Sequence, residues 1–180
     1  MSYDPWQKAI TRNGYACDEV ISALQKCIRR GLEEDACMFA YELYLTSPEL
    51  EDKLWSRLLT ISVEDVGMGN PMASVIMNNL NQMRREFDYQ AVDRPLFFVH
   101  AIRVLCSSSK DRSSDVLKNL VMKRIENGVL SKIPNFALDM HTRRGQEMGR
   151  DVHHFLNDAS KVVPEMDVTN DYKERLKKYL

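Results

Sequence analysis

The segment SVEDVGMGNP (residues 62–71) places two acids, two glycines and a proline within ten positions. Glycines ahead of a helix can present backbone amides to a phosphate, but a phosphate-binding P-loop also needs a lysine and a hydroxyl directly after them. GMGNPMAS carries no lysine, Pro71 removes an amide where the cradle needs one, and no strand pattern precedes it. The residues therefore predict a structural corner built on Glu64, Asp65, Gly67 and Gly69. Gly67 ends one helix, Gly69 permits a tight reversal, Asn70 caps the next helix and Pro71 opens it. Ser62 and Asp65 have capping-box spacing, which allows a short helical turn between them.

The second chemistry-bearing stretch is PNFALDMHTRRGQEMGRDVHHFLNDASKVVP (134–164), which gathers three of the four histidines with three arginines and two glycines. His141, His153 and His154, with Asp139 and Asp151, are residue types that bind metals. Their spacing argues against it: Asp139 and His141 point to different sides of a helix, His153 and His154 are adjacent, and no ligand pattern is present. No metal and no cofactor is expected. Arg143, Arg144 and Arg150, with His141 and His153 beside them, suit an anion, because guanidinium groups grip phosphate or carboxylate in a bidentate way. DNA or an acidic partner would fit. Equally, these arginines could pair with Asp139, Glu147 and Asp158 of the same chain and fasten the segment to the rest. His100 lies inside an apolar helix and reads as a core histidine. No Ser-His-Asp or Cys-His grouping stands out, so no catalytic residue is assigned.

The elements that would hold these residues are helical. Apolar residues recur at helical spacing in five stripes: Cys17, Val20, Ile21, Leu24, Ile28; Ala36, Phe39, Ala40, Leu43; Leu50, Leu54, Leu58, Ile61; Met72, Ile76, Leu80, Met83, Phe87; and Val116, Leu117, Leu120, Val121, Ile125. Ser47-Pro48, Asn70-Pro71 and Arg94-Pro95 set prolines at first helical positions, and Gly31 and Gly128 stand where helices stop. LFFVHAIRVLC (96–106) is apolar nearly all round, which predicts the most buried helix. The fold class is all-α, a compact antiparallel multi-helix bundle in a single domain of residues 1–180. Within it, 20–126 form the core, 134–164 pack on that core with a helix resuming from about Arg150, and 165–180 form a C-terminal helix or tail.

Composition narrows the partners. The chain has 180 residues, 44% hydrophobic, with a formal net charge of −1 and mixed signs, so no global field draws it to nucleic acid or membrane. Apolar runs fall short of a membrane span, and the start lacks signal-peptide character; the expected location is cytoplasmic. The four cysteines show no CxxC pairing and read as reduced, mostly buried small hydrophobes.

RRGLEEDACMFAYELYLTSPELEDKLWSRLLTISVEDVGMGNPMA, with the later apolar helix and CSSSKDRSSD, resembles the C-terminal domain of the replication-associated recombination AAA+ ATPases, the MgsA-type family related to clamp loaders. The resemblance covers about residues 20–126. Its most specific part is the Glu64-Asp65-Val66-Gly67 corner with Arg57-Leu58-Leu59 upstream; Val63 departs from the family's usual serine. The sequence shows no Walker A or Walker B motif, and ALDMHTRRGQEMGR lies outside the matched part. The resemblance implies a clamp-loader-like collar without its motor: a non-catalytic oligomerisation module, a homo-oligomer with a tetramer favoured, partnering a separate AAA+ ATPase in DNA replication or repair. Two alternatives stay open: a nucleic-acid-binding protein using Arg143, Arg144 and Arg150, and a small enzyme or metalloprotein centred on His141, His153 and His154.

Overall fold

The computed structural model describes residues 5–180, and they divide into two compact units, one ending at Arg124 and the other spanning Ile125–Leu180. Among the described residues no strand forms; one isolated bridge joins Ile10 to Ala16. The fold is all-α.

The first unit is built from α1 (Cys17–Arg30), α2 (Glu33–Thr46), α3 (Pro48–Ile61), α4 (Ala73–Met83), α5 (Arg94–Ser107) and most of α6 (Ser113–Glu126). The predicted stripe of α1 is buried in full, and Gly31 closes the helix in the left-handed conformation, its N–H directed to the carbonyls of Cys27 and Ile28. In α2 the inward residues are Ala36, Ala40, Leu43 and Tyr44, while Phe39 stands at the flank. α3 buries Leu50, Leu54, Leu58 and Ile61 as predicted, with Trp55 added. Ser47 caps it by accepting from the Leu50 N–H at 3.2 Å, and Pro48 opens it.

α4 departs from the sequence reading. It begins at Ala73, not at Pro71, and its inward face is Ala73, Met77, Leu80 and Asn81, continuing to Arg84; Met72 and Met83 are exposed. The face is turned by about one residue, some 100°, because Arg84 has ionic partners inside and a methionine has none to offer. Asn70 still caps, but it caps a turn: its side chain accepts from the Met72 N–H at 3.2 Å.

α5 packs against α1 to α4 through Phe98, Ala101, Ile102 and Leu105. It is not buried all round. Leu96, His100 and Arg103 are exposed, so His100 is not the core histidine that its apolar neighbours suggested. α6 forms over the predicted span, yet none of its residues is buried.

The second unit holds a 3-10 turn at Asn135–Ala137, α7 (Arg143–Glu147), the single turn α8 (Val152–His154) running into a π turn at Phe155–Ala159, and α9 (Tyr172–Lys177). Helix resumes at Val152, close to the expected Arg150, and α9 supplies the C-terminal helix.

Candidate functional site

The corner is a clamp of charges around one buried carboxylate. α3 does not stop at a cap but runs on into a π turn, Ser62–Val66, and a 3-10 turn, Gly67–Gly69. Ser62 and Asp65 therefore form no capping box: the Ser62 hydroxyl donates to the Leu59 carbonyl at 2.7 Å. Asp65 is fully buried. Arg29 Nε of α1 lies 2.7 Å and Arg112 Nε 3.1 Å from its Oδ1, and Gln25 Nε2 donates to its Oδ2 at 2.8 Å. The contacts of Arg29 and Asp65 are ionic without a directional hydrogen bond. Glu64, half-buried beside it, accepts from Gln25 at 3.1 Å and faces Arg112 at 3.5 Å and Arg29 at 3.7 Å. Arg57 donates to Gln25 Oε1 at 3.3 Å.

Backbone contacts complete the clamp. The Asp111 N–H is shared between the carbonyls of Asp65 (3.0 Å) and Val66 (3.2 Å), and Asn70 Nδ2 donates to Ser108 Oγ at 3.0 Å. The two glycines are needed for different reasons. Gly67 sits at φ 49°, where a side chain is strained, and a Cβ there would lie 2.5 Å from the Asp111 carbonyl oxygen. Gly69 has no such dihedral; a Cβ there would lie 2.7 Å from the Ser109 carbonyl carbon. Gly69 thus serves close approach of two segments, where the sequence suggested a reversal. The two sequence segments SVEDVGMGNP and SSSKDRSSD are each other's partners. With its donors committed in this way, the acid pair is built to brace α1, α3 and the loop before α6, not to face a substrate.

Sequence reasoning missed a second network. Glu51, 1% exposed, pairs with Arg84 Nη1 at 2.9 Å and accepts from Arg94 Nε and Nη2 at 2.9–3.1 Å. Arg84 also binds Asn81 Oδ1 (3.1 Å) and Asp52, and lies over the Trp55 ring at 5.7 Å. Hydrogen bonding to Glu51 holds Arg94 above the ordinary arginine value. Tyr44 and Tyr89 each donate to the other's carbonyl. The signal was present: Arg84 continues the spacing Ala73, Met77, Leu80, so a charge stood on an apolar stripe.

In the second unit the arginine segment folds largely onto itself. Arg150 Nη1 donates to the carbonyls of Asn135 (2.5 Å) and Leu138, and Nη2 to Asn135 Oδ1 at 2.8 Å. Arg143 reaches Glu147 one turn on at 2.8 Å. Arg144 and His153 are exposed. The Asp139 carboxylate takes the His141 N–H (3.0 Å) and faces His141 Nδ1 (2.9 Å), and that contact holds Asp139 below the usual carboxylate value. The His141 ring packs edge-on to Phe155, and His154 turns to Asp158 at 3.7 Å. Gly145 is buried because its neighbour crosses it: a Cβ would lie 2.5 Å from the Asp139 carbonyl carbon. Among the described residues no three His, Cys, Asp or Glu side chains converge as a metal site.

The comparison with known proteins now decides the family. The model of the family described as MgsA AAA+ ATPase C terminal matches residues 31–179. The chain belongs to this family. The match to the MgsA C-terminal family takes in 134–164 as well as the corner, so the histidine–arginine segment is part of the family's domain; the sequence reading had placed it outside. Replication-associated recombination protein A of Bacillus subtilis (strain 168) is 29% identical over 141 residues, which is 78% of this chain and 32% of that protein. The chain thus spans about a third of that relative's length. A C-terminal helical domain of this family is not itself the ATPase module.

Proposed function

We propose that the chain is a non-catalytic oligomerisation and protein-interaction module that serves a replication-associated AAA+ ATPase in DNA replication or repair. The observation that carries the reading is the corner clamp: its two acids are held by Arg29, Arg112 and Gln25 and brace three parts of the bundle. That is how a scaffold is stiffened. It self-associates, a tetramer being the favoured state, and meets a separate AAA+ ATPase subunit; in support, the relative with a similar stretch is named a replication-associated recombination protein. Among the described residues no helix is long and apolar enough to cross a membrane.

The test is light scattering after size-exclusion chromatography at low and high salt, with and without a single-stranded oligonucleotide. A salt-resistant oligomer indifferent to DNA is expected, since apolar interfaces survive screening. A monomer that shifts onto DNA only at low salt would transfer the function to the exposed Arg143, Arg144 and His153, because phosphate contacts weaken steeply with salt.

A further inference from the structure

α2 carries apolar residues on two sides. Ala36, Ala40, Leu43 and Tyr44 go to the core. On the outer side Glu34, Met38, Tyr41 and Leu45 fall within about 60° of one another at 3.6 residues per turn, and the last three are 37–68% exposed. This stripe runs into a cavity of about 430 Å³ whose walls include Tyr41, Tyr44, Leu45, Tyr89, Val92 and Pro95, between the end of α2 and the loop that leads into α5. The aromatic walls are held in place: the Tyr41 ring stands edge-on to Phe98 and the Tyr44 ring lies against Tyr89, both at 5.0 Å. A preformed apolar cavity at the end of an exposed stripe is the form of a docking site, because little ordering is left to oppose binding.

Hydrogen bonding and charge choose the occupant. No strand edge borders the cavity, and the Tyr44 and Tyr89 hydroxyls are spent on each other's carbonyls. An extended peptide buried there would leave its own N–H and C=O groups unpaired, whereas a helix pairs them internally. The rim is acidic. Glu34 stands at the start of the stripe, and Asp88 and Asp93 flank the cavity-lining loop along the chain; all three are exposed and form no ion pair among the described residues. Meanwhile Arg103, Arg94 and Arg12 are matched by Glu33, Glu51 and Glu42. Uncompensated carboxylates repel the phosphates of nucleic acid and attract lysine and arginine.

We infer that the outer stripe of α2 and the tyrosine cavity form a docking groove for a basic amphipathic helix of a partner protein. Its apolar residues, at helical spacing, lie along Met38, Tyr41 and Leu45 with the largest in the cavity, and its lysines or arginines meet Glu34 at one end and Asp88 and Asp93 at the other. The inference rests on the protein-interaction part of the function proposed above. The test uses the full chain and a fluorescently labelled synthetic peptide of about 15 residues, long enough to form a helix on binding, with leucine on one helical face and lysine on the other. Fluorescence anisotropy should show saturable binding to the wild type, weakened about tenfold both in Met38→Gln/Leu45→Gln and in Asp88→Lys/Asp93→Lys. The same peptide with glutamate in place of lysine should not bind. All four substituted positions are exposed, and thermal unfolding at the wild-type temperature confirms that the variants are folded. No binding of the lysine peptide overturns the inference, as does binding that either variant leaves unchanged or that the glutamate peptide equals. If Met38→Gln/Leu45→Gln lowers the mass of a wild-type oligomer in light scattering, the groove is a contact between copies and the inference falls. A single-stranded oligonucleotide that binds the wild type and is displaced by the lysine peptide would likewise overturn the helix as occupant. A monomeric wild type that binds the lysine peptide in the expected pattern keeps this inference and sinks the oligomerisation reading alone.

Discussion

Gly69 and Gly67 are single-atom constraints. Gly69→Ala forces a Cβ into the Ser109 carbonyl, and overpacking of this kind costs about 2–3 kcal/mol. Gly14→Ala isolates the dihedral effect, because Gly14 has φ 84° and nothing within 4 Å; about 1 kcal/mol is expected there. Urea denaturation of the two variants should rank them in that order, and an equal loss would mean that the close approach at Ser109 relaxes freely. The cysteines give a second residue-scale expectation. Burial pushes the Cys106 thiol up to about 11, and Cys17, Cys27 and Cys37 move the same way. A raised folded value means that stability is full below the ordinary thiol value of 9.0 and falls as pH rises through about 11. Denaturation midpoints should drop between pH 8 and 11, less so in Cys106→Ala, and thiol reagents at pH 8 should react slowly with the folded chain.

At the scale of elements, Glu51 is a hub between α3, the residue following α4, and α5. Glu51→Leu leaves Arg84 and Arg94 facing each other inside, and removing one partner of a buried pair costs about 3–5 kcal/mol. Arg84→Met should cost less, since Glu51 keeps Arg94 and the methionine replaces buried volume. Thermal unfolding of both variants gives the ranking directly; the reverse order would show that Arg84, not Glu51, organises the network. In the second unit Asp151 caps α8, and Asp139 ties down the turn before α7, which Thr142 caps. A hydrogen bond from His141 lowers Asp139, and the His154 N–H lowers Asp151. A depressed folded value contributes stability above the unfolded carboxylate value of 3.8, and that contribution is lost as pH falls below it. Amide exchange in residues 139–154 should therefore accelerate on acidification below about pH 4, while between pH 5 and 7 these two carboxylates contribute no change.

At the scale of the whole molecule, α6 leaves Val116, Leu117, Leu120, Val121 and Ile125 exposed, while the outer side of α5 carries Leu96 beside the polar His100 and Arg103. Large contiguous apolar patches on a folded surface mark interaction sites. Mass measurement at two salt concentrations is the expectation that belongs here: hydrophobic association persists at 1 M salt, where the Debye length is about 3 Å and surface charge pairs are screened.

The sequence by itself determined the elements. The stripes of α1 and α3, the proline at the start of α3 and Gly31 at the end of α1 are local patterns, and they sufficed for the existence of these helices and for those two boundaries, though not for the start of α4. It also carried the corner whose residues mark the family. Only the tertiary structure decided which charged residues lie inside. Arg84 displaces Met83 from the inward face of α4 because Glu51, 33 positions earlier, neutralises it; Asp65 is buried because Arg29 and Arg112 reach it from opposite directions along the chain. Gly69 and Gly145 look like turn residues in sequence, but each is required by a carbonyl that folding brings across it. Periodicity reports which side chains would accept burial; partners distant along the chain determine which polar ones are able to.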